Sequence, residues 1–108
     1  MQTISRDEAR RRVLEGQRAK VVEVLDREQY RKFHLPGAIN VPLDDDFDER
    51  IREAVPDKTQ PVLVYCYDTE CQASAKAAQR LEALGYEEIY DYEAGKVDWK
   101  EAGLPIES

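Results

Sequence analysis

The stretch PVLVYCYDTECQASAKAAQRLEALGY, residues 61–86, joins a strand pattern to a helix pattern through a loop that holds both cysteines of the chain. Residues 61–66 form the most strand-like run, short, apolar and rich in β-branched side chains. Residues 74–85 carry alanine and leucine at helical spacing and end at a glycine, as many helices do. Cys66 therefore lies at the carboxyl end of a predicted strand, and Cys71 follows within the loop.

The rest of the chain alternates between the same two patterns. Ser5 and Glu8 have the spacing of a capping box, and Gly16 ends the helix that they begin. The run KVVEVL, residues 20–25, predicts another buried strand. Helices or helical turns are further predicted at 26–33, 44–55 and 95–103, and strands at 38–41 and 86–93. This alternation predicts an α/β fold with a small, mostly parallel sheet of roughly four or five strands, flanked by helices on both faces.

Length and charge narrow the class of protein. The 108 residues suit one compact domain, which we expect to span residues 1–108. A net charge of −7 disfavours binding to nucleic acid or to an anionic membrane surface. The first residues lack a secretory signal pattern, and no apolar run is long enough to span a bilayer. We therefore expect a cytoplasmic protein whose cysteines are thiols at rest, while the oligomeric state is left open.

The position of the cysteine loop suggests nucleophilic chemistry. The first turn of a helix leaves backbone N–H groups without partners, and these groups favour negative charge. A loop that curls over the helix start adds further N–H groups and can form an anion-binding nest. A cysteine that faces such a nest has its thiolate stabilised, and the thiolate is the nucleophilic form. The layout therefore suits a cysteine that attacks a substrate and holds the product as an anion.

Several segments, in this order, resemble the rhodanese-like family of single-domain sulfurtransferases. The segment VVEVLDREQYRKFHLPGAINVPL is similar to the family's first half, in which a strand leads to a Pro-Gly turn. VLVYC followed by SAKAAQRLEALGY resembles the active-site strand, loop and helix. YEAGKVDWKEAGLPIE resembles the closing segment. The resemblance extends from about Ile4 to Glu107, which is nearly the whole chain.

The resemblance implies that Cys66 is the catalytic residue. In this family the cysteine takes a sulfane sulfur from a small donor, becomes a persulfide, and passes the outer sulfur to a thiol or protein acceptor. The family needs no metal and no organic cofactor for this reaction. The persulfide anion would be held by the N–H groups of the loop, which comprises Tyr67, Asp68, Thr69, Glu70, Cys71 and Gln72.

Three departures from the family pattern affect the expected substrate. Members that use thiosulfate often have a basic residue at the fifth position after the cysteine, where this chain has Cys71. The loop also contains Asp68 and Glu70, which would raise the pKa of a nearby thiol and repel a dianion. The first strand carries Glu23 and Leu25 where the family commonly has Asp and Arg. We therefore expect poor use of thiosulfate, with a thiol, persulfide or protein partner instead.

Each cysteine also has a simpler interpretation. Cys66 taken alone could be a buried, inert residue at a strand end, since free cysteines are usually buried. Cys71 could be a second thiol that attacks a persulfide on Cys66 and closes a disulfide. A small residue that packs at the helix start is the slightly favoured alternative for Cys71. The distance between the Cα atoms of the two cysteines decides between these interpretations of Cys71, because a disulfide needs Cα atoms within roughly 7 Å.

Three rival functions remain at this stage. The first is a catalytically silent rhodanese-like module that binds or regulates a partner, which the acidic loop favours. The second is a redox protein that uses Cys66 and Cys71 as a disulfide pair. A phosphatase or arsenate reductase on the same scaffold is disfavoured, because those enzymes need an arginine at the end of the loop. A zinc site is also disfavoured, since two cysteines and one histidine fall short of four ligands.

Other conspicuous residues have structural interpretations. His34 precedes a Pro-Gly turn and is predicted to hydrogen bond there, and Trp99 is predicted to anchor the core. The acidic run 44–46 fits a helix start, which favours negative charge. Arg27 or Arg31 could supply the cation that the loop lacks, although solvated positions on a turn are the simpler interpretation.

Overall fold

The computed structural model describes residues 1–16 and 18–108. In chain order the elements are β1 (Gln2–Thr3), α1 (Arg6–Leu14), β2 (Lys20–Glu23), α2 (Arg27–Lys32), β3 (Ile39–Asn40), α3 (Phe47–Ala54), β4 (Val62–Tyr65), α4 (Ala73–Ala83), β5 (Ile89–Tyr92) and α5 (Gly95–Glu101). Strands and helices alternate along these described residues, and from α1 onward this is the order that the sequence pattern predicts.

The strands of the described residues form one five-stranded sheet in the order β1-β5-β4-β2-β3, and every neighbouring pair is parallel. Strand β4 lies at the centre, where Tyr65 is in register with Glu23 of β2 and Tyr92 of β5. The predicted α/β fold with a small parallel sheet is confirmed. Because ligands of such sheets bind beyond the carboxyl ends of the strands, the end of β4 is the expected place for a site.

Helices cover both faces of the sheet because side chains alternate along each strand. Val62, Val64 and Cys66 point to one face and pack with α3 and α4, whereas Leu63 and Tyr65 point to the other and pack with α1 and α5. All five of these residues are fully buried. The two cores together leave β4 without solvent contact, so its carboxyl end is fixed on both sides.

The structure adds one strand that the sequence pattern did not predict. Gln2 and Thr3 pair with Tyr90 and Asp91 of β5 and form an edge of the sheet. A strand of two residues has no measurable period, so its pairing depends on contacts that sequence patterns do not contain. At the start of α1 the predicted cap is confirmed, because the Ser5 hydroxyl accepts from an amide of the first turn. No helix in the described part of the chain is both long and apolar enough to cross a membrane.

Candidate active site

Cys66 directly follows β4, and its side chain continues the α3/α4 face of the sheet. It is fully buried and belongs to an apolar cluster that includes Val24, Val41 and Val64. Its burial results from the alternation along β4, since Val64 and Cys66 must point to the same side. The sulfur of Cys66 is therefore reached only through the loop that covers it.

The structure joins Cys66 and Cys71 as a disulfide, and their Cα atoms are 6.4 Å apart. The expectation of two thiols at rest is therefore not what the structure holds. Cys71 does pack against the α3/α4 core, as its slightly favoured interpretation expects, and it is joined to Cys66 as well. The separation lies within the range that disulfides tolerate without backbone movement. Cys71 is partly exposed, in contrast to Cys66, so it is the accessible end of the bond.

The cysteine loop, residues 66–72, is folded around the side chain of Asp68. Its Oδ1 accepts hydrogen bonds from the amides of Glu70, at 3.1 Å, and Cys71, at 3.2 Å, and its backbone carbonyl also accepts from Cys71 N–H. Two of the amides expected to hold a persulfide are thus bound to a carboxylate in the disulfide form. The amides of Thr69 and Gln72, both exposed residues, donate to no acceptor within residues 1–16 and 18–108. A persulfide-binding role for the loop stays a prediction.

The start of α5 holds the beginning of the cysteine loop. The amides of Lys96 and Val97 donate to the carbonyls of Cys66 and Tyr67, each at 3.0 Å. Gly95 makes this approach possible, because a Cβ there would lie 2.8 Å from the next loop amide and closer still to the Tyr67 carbonyl. Gly95 also has φ of +80°, a conformation that residues with a side chain rarely adopt. The loop and α5 therefore form one continuous hydrogen-bonded unit.

A buried charged group, the lysine cluster of Glu23, Tyr65 and Lys96, lies on the opposite face of β4. The Lys96 ammonium donates to Glu23 Oε2 at 3.1 Å and to the carbonyls of Gln29 at 2.8 Å and Phe33 at 2.7 Å. The Tyr65 hydroxyl donates to Glu23 Oε1 at 2.8 Å. Glu23 and Lys96 have no solvent exposure, so the pair is desolvated, and its hydrogen-bond partners named above are the Tyr65 hydroxyl and two backbone carbonyls.

Burial shapes the ionisation of the lysine cluster. Desolvation raises the pKa of Glu23 and lowers the pKa of Lys96, although their mutual attraction opposes both shifts. Burial also raises the pKa of Tyr65, which remains a neutral donor. The three N–H donors of the Lys96 ammonium already have acceptors, so this cation cannot bind a sulfur anion. Sequence patterns missed the cluster, and the available signal was an acid within an otherwise apolar strand.

Asp91 is a second buried acid that the sequence analysis did not single out. It lies on β5, is 2% exposed, and its Oδ1 has no hydrogen-bond partner among the described residues. Desolvation raises the pKa of this carboxyl, while the nearby hydroxyl of Ser74 acts in the opposite direction. An unpaired acceptor in a core is costly, so Asp91 is a strained point beneath the helix that follows the loop.

Cations lie near the cysteine loop but not within it. Arg27 and Arg31 are exposed on α2, and Arg27 lines a cavity with Asn40 rather than with a loop residue. A different cavity, of about 440 Å³, does reach the loop at Tyr67, and its lining includes the side chain of Lys32. The suggestion that Arg27 or Arg31 supplies the cation of the loop therefore stays a prediction. Within the described ranges, no group of three or more His, Cys, Asp or Glu side chains is placed to hold a metal ion.

The structural interpretations of the other conspicuous residues agree with the structure. His34 Nδ1 lies 2.9 Å from the carbonyl oxygen of Tyr30, and the two rings stack at 3.9 Å. Trp99 is fully buried in the α1/α5 core. Asp44 Oδ1 accepts from the amide of Asp46 at the start of α3.

Comparison with known proteins places this geometry in a family. The rhodanese-like domain model matches residues 5–102. Thiosulfate sulfurtransferase PspE of Escherichia coli is 41% identical over 63% of this chain and 62% of its own length. HTH-type transcriptional regulator Rv0324 of Mycobacterium tuberculosis is 32% identical over 96% of this chain but only 44% of its own length. The chain therefore spans less than two thirds of either relative.

A solved structure leads to the same assignment. A rhodanese with anions from E. coli superposes with a TM-score of 0.67 at 34% identity, covering 83% of this chain and 98% of that one. The parallel sheet, the cysteine at the end of its central strand and the family match all agree. The chain belongs to the rhodanese-like domain family.

Proposed function

We propose that this protein is a sulfurtransferase in which Cys66, once released from its disulfide, carries sulfane sulfur as a persulfide. The observation that carries the proposal is the position of Cys66, at the carboxyl end of the central strand of a rhodanese-like domain. The similarity to a protein named as a thiosulfate sulfurtransferase supports it. We also propose a cytoplasmic location, where reductants would keep part of the protein in the dithiol form.

The proposed reaction has two steps. The Cys66 thiolate attacks a sulfane sulfur, a new S–S bond forms, and the bond between that sulfur and the rest of the donor breaks. The rest of the donor leaves with the electron pair of that bond, as sulfite in the case of thiosulfate. An acceptor thiol then attacks the outer sulfur, leaves with it as a persulfide, and returns Cys66 to the thiolate. The amides of Thr69 and Gln72 are free to face an anion, and opening of the disulfide allows the Asp68 turn to rearrange and free two more.

The acidic loop favours a donor other than thiosulfate. Asp68 and Glu70 lie within five residues of Cys66, and the fifth position, basic in many thiosulfate users, holds Cys71. A dianion would approach against these charges, whereas a neutral or singly charged persulfide donor would meet less repulsion. The partners we propose are therefore a small thiol persulfide or a protein persulfide as donor, and a thiol as acceptor.

The test is sulfur loading of the fully reduced chain. After removal of the reductant, the protein is exposed either to thiosulfate or to glutathione persulfide, and its peptides are analysed by mass spectrometry. We expect one added sulfur atom on the peptide that contains Cys66 in the Cys71→Ser variant, and none in Cys66→Ser. Added sulfur on the Cys66→Ser variant would mean that Cys66 is not the thiol that carries the sulfur. Thiosulfate turnover at the rate of an efficient enzyme would contradict the donor preference.

A regulatory module is the second candidate, and the similarity to a protein named as a transcriptional regulator favours it. In that case Cys66 remains buried and unreactive after reduction. The rate of alkylation by iodoacetamide near neutral pH separates the two functions. A carrier has a fast-reacting Cys66 once reduced, whereas a silent module reacts no faster than an ordinary thiol.

A further inference from the structure

We propose that Cys71 is a resolving cysteine, so that the domain reduces the sulfane sulfur that it accepts and releases hydrogen sulfide. The proposal rests on the function proposed above, because it begins with a persulfide on Cys66. The product that this reaction leaves on the protein is the Cys66–Cys71 disulfide, which is present in the structure. The substrate class is a sulfane-sulfur donor, and the second substrate is a dithiol that reopens the disulfide.

The loop backbone places the two sulfurs for this reaction. The carbonyl of Cys66 is held by the Lys96 amide at 3.0 Å, and the amide of Cys71 is held by both oxygens that Asp68 offers to it. Between these anchors the two Cα atoms are 6.4 Å apart, a separation at which a disulfide forms without backbone movement. The cysteines are therefore arranged as a pair, and not merely as neighbours in sequence.

The chemical step balances without an external oxidant. The Cys71 thiolate attacks Sγ of the Cys66 persulfide in its protonated form, and the bond between Sγ and the outer sulfur breaks. The outer sulfur leaves with that electron pair and with its own proton, as hydrosulfide. The sulfane sulfur gains two electrons, and the two cysteine sulfurs together lose two as the disulfide forms. Hydrosulfide is a good leaving group in such an exchange, since thiols of lower pKa leave faster.

Burial favours this internal reaction over transfer to an outside thiol. Cys66 has no solvent exposure, so an acceptor must displace the loop to reach its persulfide. Cys71 is already in the loop, within bonding contact of the Cys66 sulfur. A linked reactant acts at a high effective concentration, typically about millimolar or more for a short connection. The loop also lacks a cation that would stabilise a long-lived persulfide anion.

The same difference in exposure sets the direction of reopening. Cys71 is partly exposed and Cys66 is not, so a dithiol attacks the Cys71 sulfur and forms a mixed disulfide there. The electron pair leaves on Cys66, which becomes the free thiolate. The second thiol of the reductant then displaces Cys71 and carries the disulfide away. The released Cys66 thiolate is ready for the next donor.

The experiment compares sulfide release with sulfur retained on the protein. The reduced protein, residues 1–108, receives one equivalent of glutathione persulfide. Sulfide is measured by bimane trapping, and the mass of the intact protein is measured by mass spectrometry. We expect the wild type to release about one equivalent of sulfide, since each chain holds one resolving thiol, and to lose two hydrogens with no added sulfur. Cys71→Ser should retain the sulfur and release none above the background measured with Cys66→Ser.

Three results would overturn the proposal. The first is a wild type that keeps its added sulfur as long as Cys71→Ser does, and the second is equal sulfide release from both proteins. The third is a stable persulfide on Cys71, which would make that residue a relay. Failure of the sulfurtransferase proposal is distinct, because Cys71→Ser would then take up no sulfur at all. Cys71→Ala serves as a second variant if the serine substitution disturbs folding.

Discussion

Two groups of residues lie back to back across the end of β4: the lysine cluster on one face and the cysteine loop on the other. Tyr65 belongs to the first and Cys66 to the second, and the alternation of the strand separates them. In the lysine cluster, the ammonium of Lys96 gives its three donors to fixed acceptors. In the loop, the disulfide between the two cysteines and the hydrogen bonds to the Asp68 carboxylate hold the outer part in place. The disulfide can be reduced, and the amides bound to Asp68 can take another acceptor.

The difference shows how a small domain can be rigid and reactive at adjacent residues. The cluster joins α2 and α5 to the sheet through the hydrogen bonds of the buried Lys96 ammonium. The loop is attached to that rigid base by the start of α5, but its outer part keeps amides that are unbound or only bound to Asp68. Changes in the cluster should therefore affect stability, and changes in the loop should affect chemistry.

The largest expected effect comes from Lys96→Met, which leaves the Glu23 carboxylate buried without its cation. Removing one partner of a buried ion pair costs about 3–5 kcal/mol of folding free energy. Urea unfolding measures the loss. Lys100→Met is the matched control, because Lys100 is exposed and its ammonium lies 4.8 Å from the centre of the Phe33 ring. The Lys100→Met substitution should cost at most about 1 kcal/mol of folding free energy. Equal losses in the two variants would mean that the buried ion pair of Lys96 contributes no more to stability than an exposed lysine.

Gly95→Ala tests the connection between α5 and the loop. Its new Cβ would overlap the Tyr67 carbonyl, and the left-handed backbone adds strain, for a total of about 2–4 kcal/mol. Gly103→Ala is the control, since Gly103 has φ of +78° and no atom lies within 4 Å of the position that its Cβ would take. We expect Gly95→Ala to slow sulfur uptake as well as lower stability, whereas Gly103→Ala lowers stability alone. Uptake rates that match in the two variants would mean that α5 does not position the loop.

Asp91→Asn is expected to stabilise the protein at neutral pH by about 1–3 kcal/mol, because a neutral amide costs less to bury than an incompletely paired carboxylate. The pKa of Asp91 is raised above its ordinary 3.8, so the folded state holds the proton more tightly. Wild-type stability should therefore fall as the pH rises from 3.8 through the raised pKa. Urea unfolding between pH 3.5 and 7, roughly this window, should show the variant's advantage growing with pH. Asp45→Asn, at an exposed aspartate, controls for the loss of one negative charge. A difference for Asp91→Asn that does not change with pH would mean that the Asp91 carboxyl is not desolvated.

Asp68→Asn has the smallest expected effect. The amide side chain keeps an oxygen that can accept from the Glu70 and Cys71 amides, while the charge beside the site is lost. A partly exposed charge contributes about 0.2–1 kcal/mol, which corresponds to a roughly 1.4- to 5-fold faster sulfur uptake from thiosulfate. Uptake from an uncharged trisulfide should not change. An equal gain with both donors would point to loop movement rather than to charge.

Sequence patterns predicted the architecture because β4 and α4 carry strong local signals. A short apolar run predicts a buried strand, and alanine and leucine at helical spacing predict a helix, whatever the rest of the chain contains. The α/β fold therefore followed from local features. Strand β1 could not be predicted, since two residues pair with β5 only because the folded chain brings them there. Cys66 was correctly predicted to lie at the carboxyl end of a strand, because the strand pattern that predicts β4 ends at this residue.

The polar interior was harder to predict than the apolar one. Lys96 lies in a segment with the composition of a surface helix, and its burial depends on carbonyl acceptors in and directly after a different helix. The disulfide depends on a turn around Asp68, and the spacing of the cysteines alone does not determine it. Glu23 and Asp91 each interrupt an apolar strand, which is the pattern that should prompt a search for buried partners.

Burial of Cys66 behind Cys71 also bears on chemical damage. A free thiolate exposed to peroxide can pass through sulfenic acid to sulfinic and sulfonic acids, and the later products are irreversible in most proteins. In the closed form that sulfur is instead bound to a partner and excluded from solvent. Under the function proposed above, the disulfide is a protected form of Cys66, from which a reductant regenerates the thiol intact.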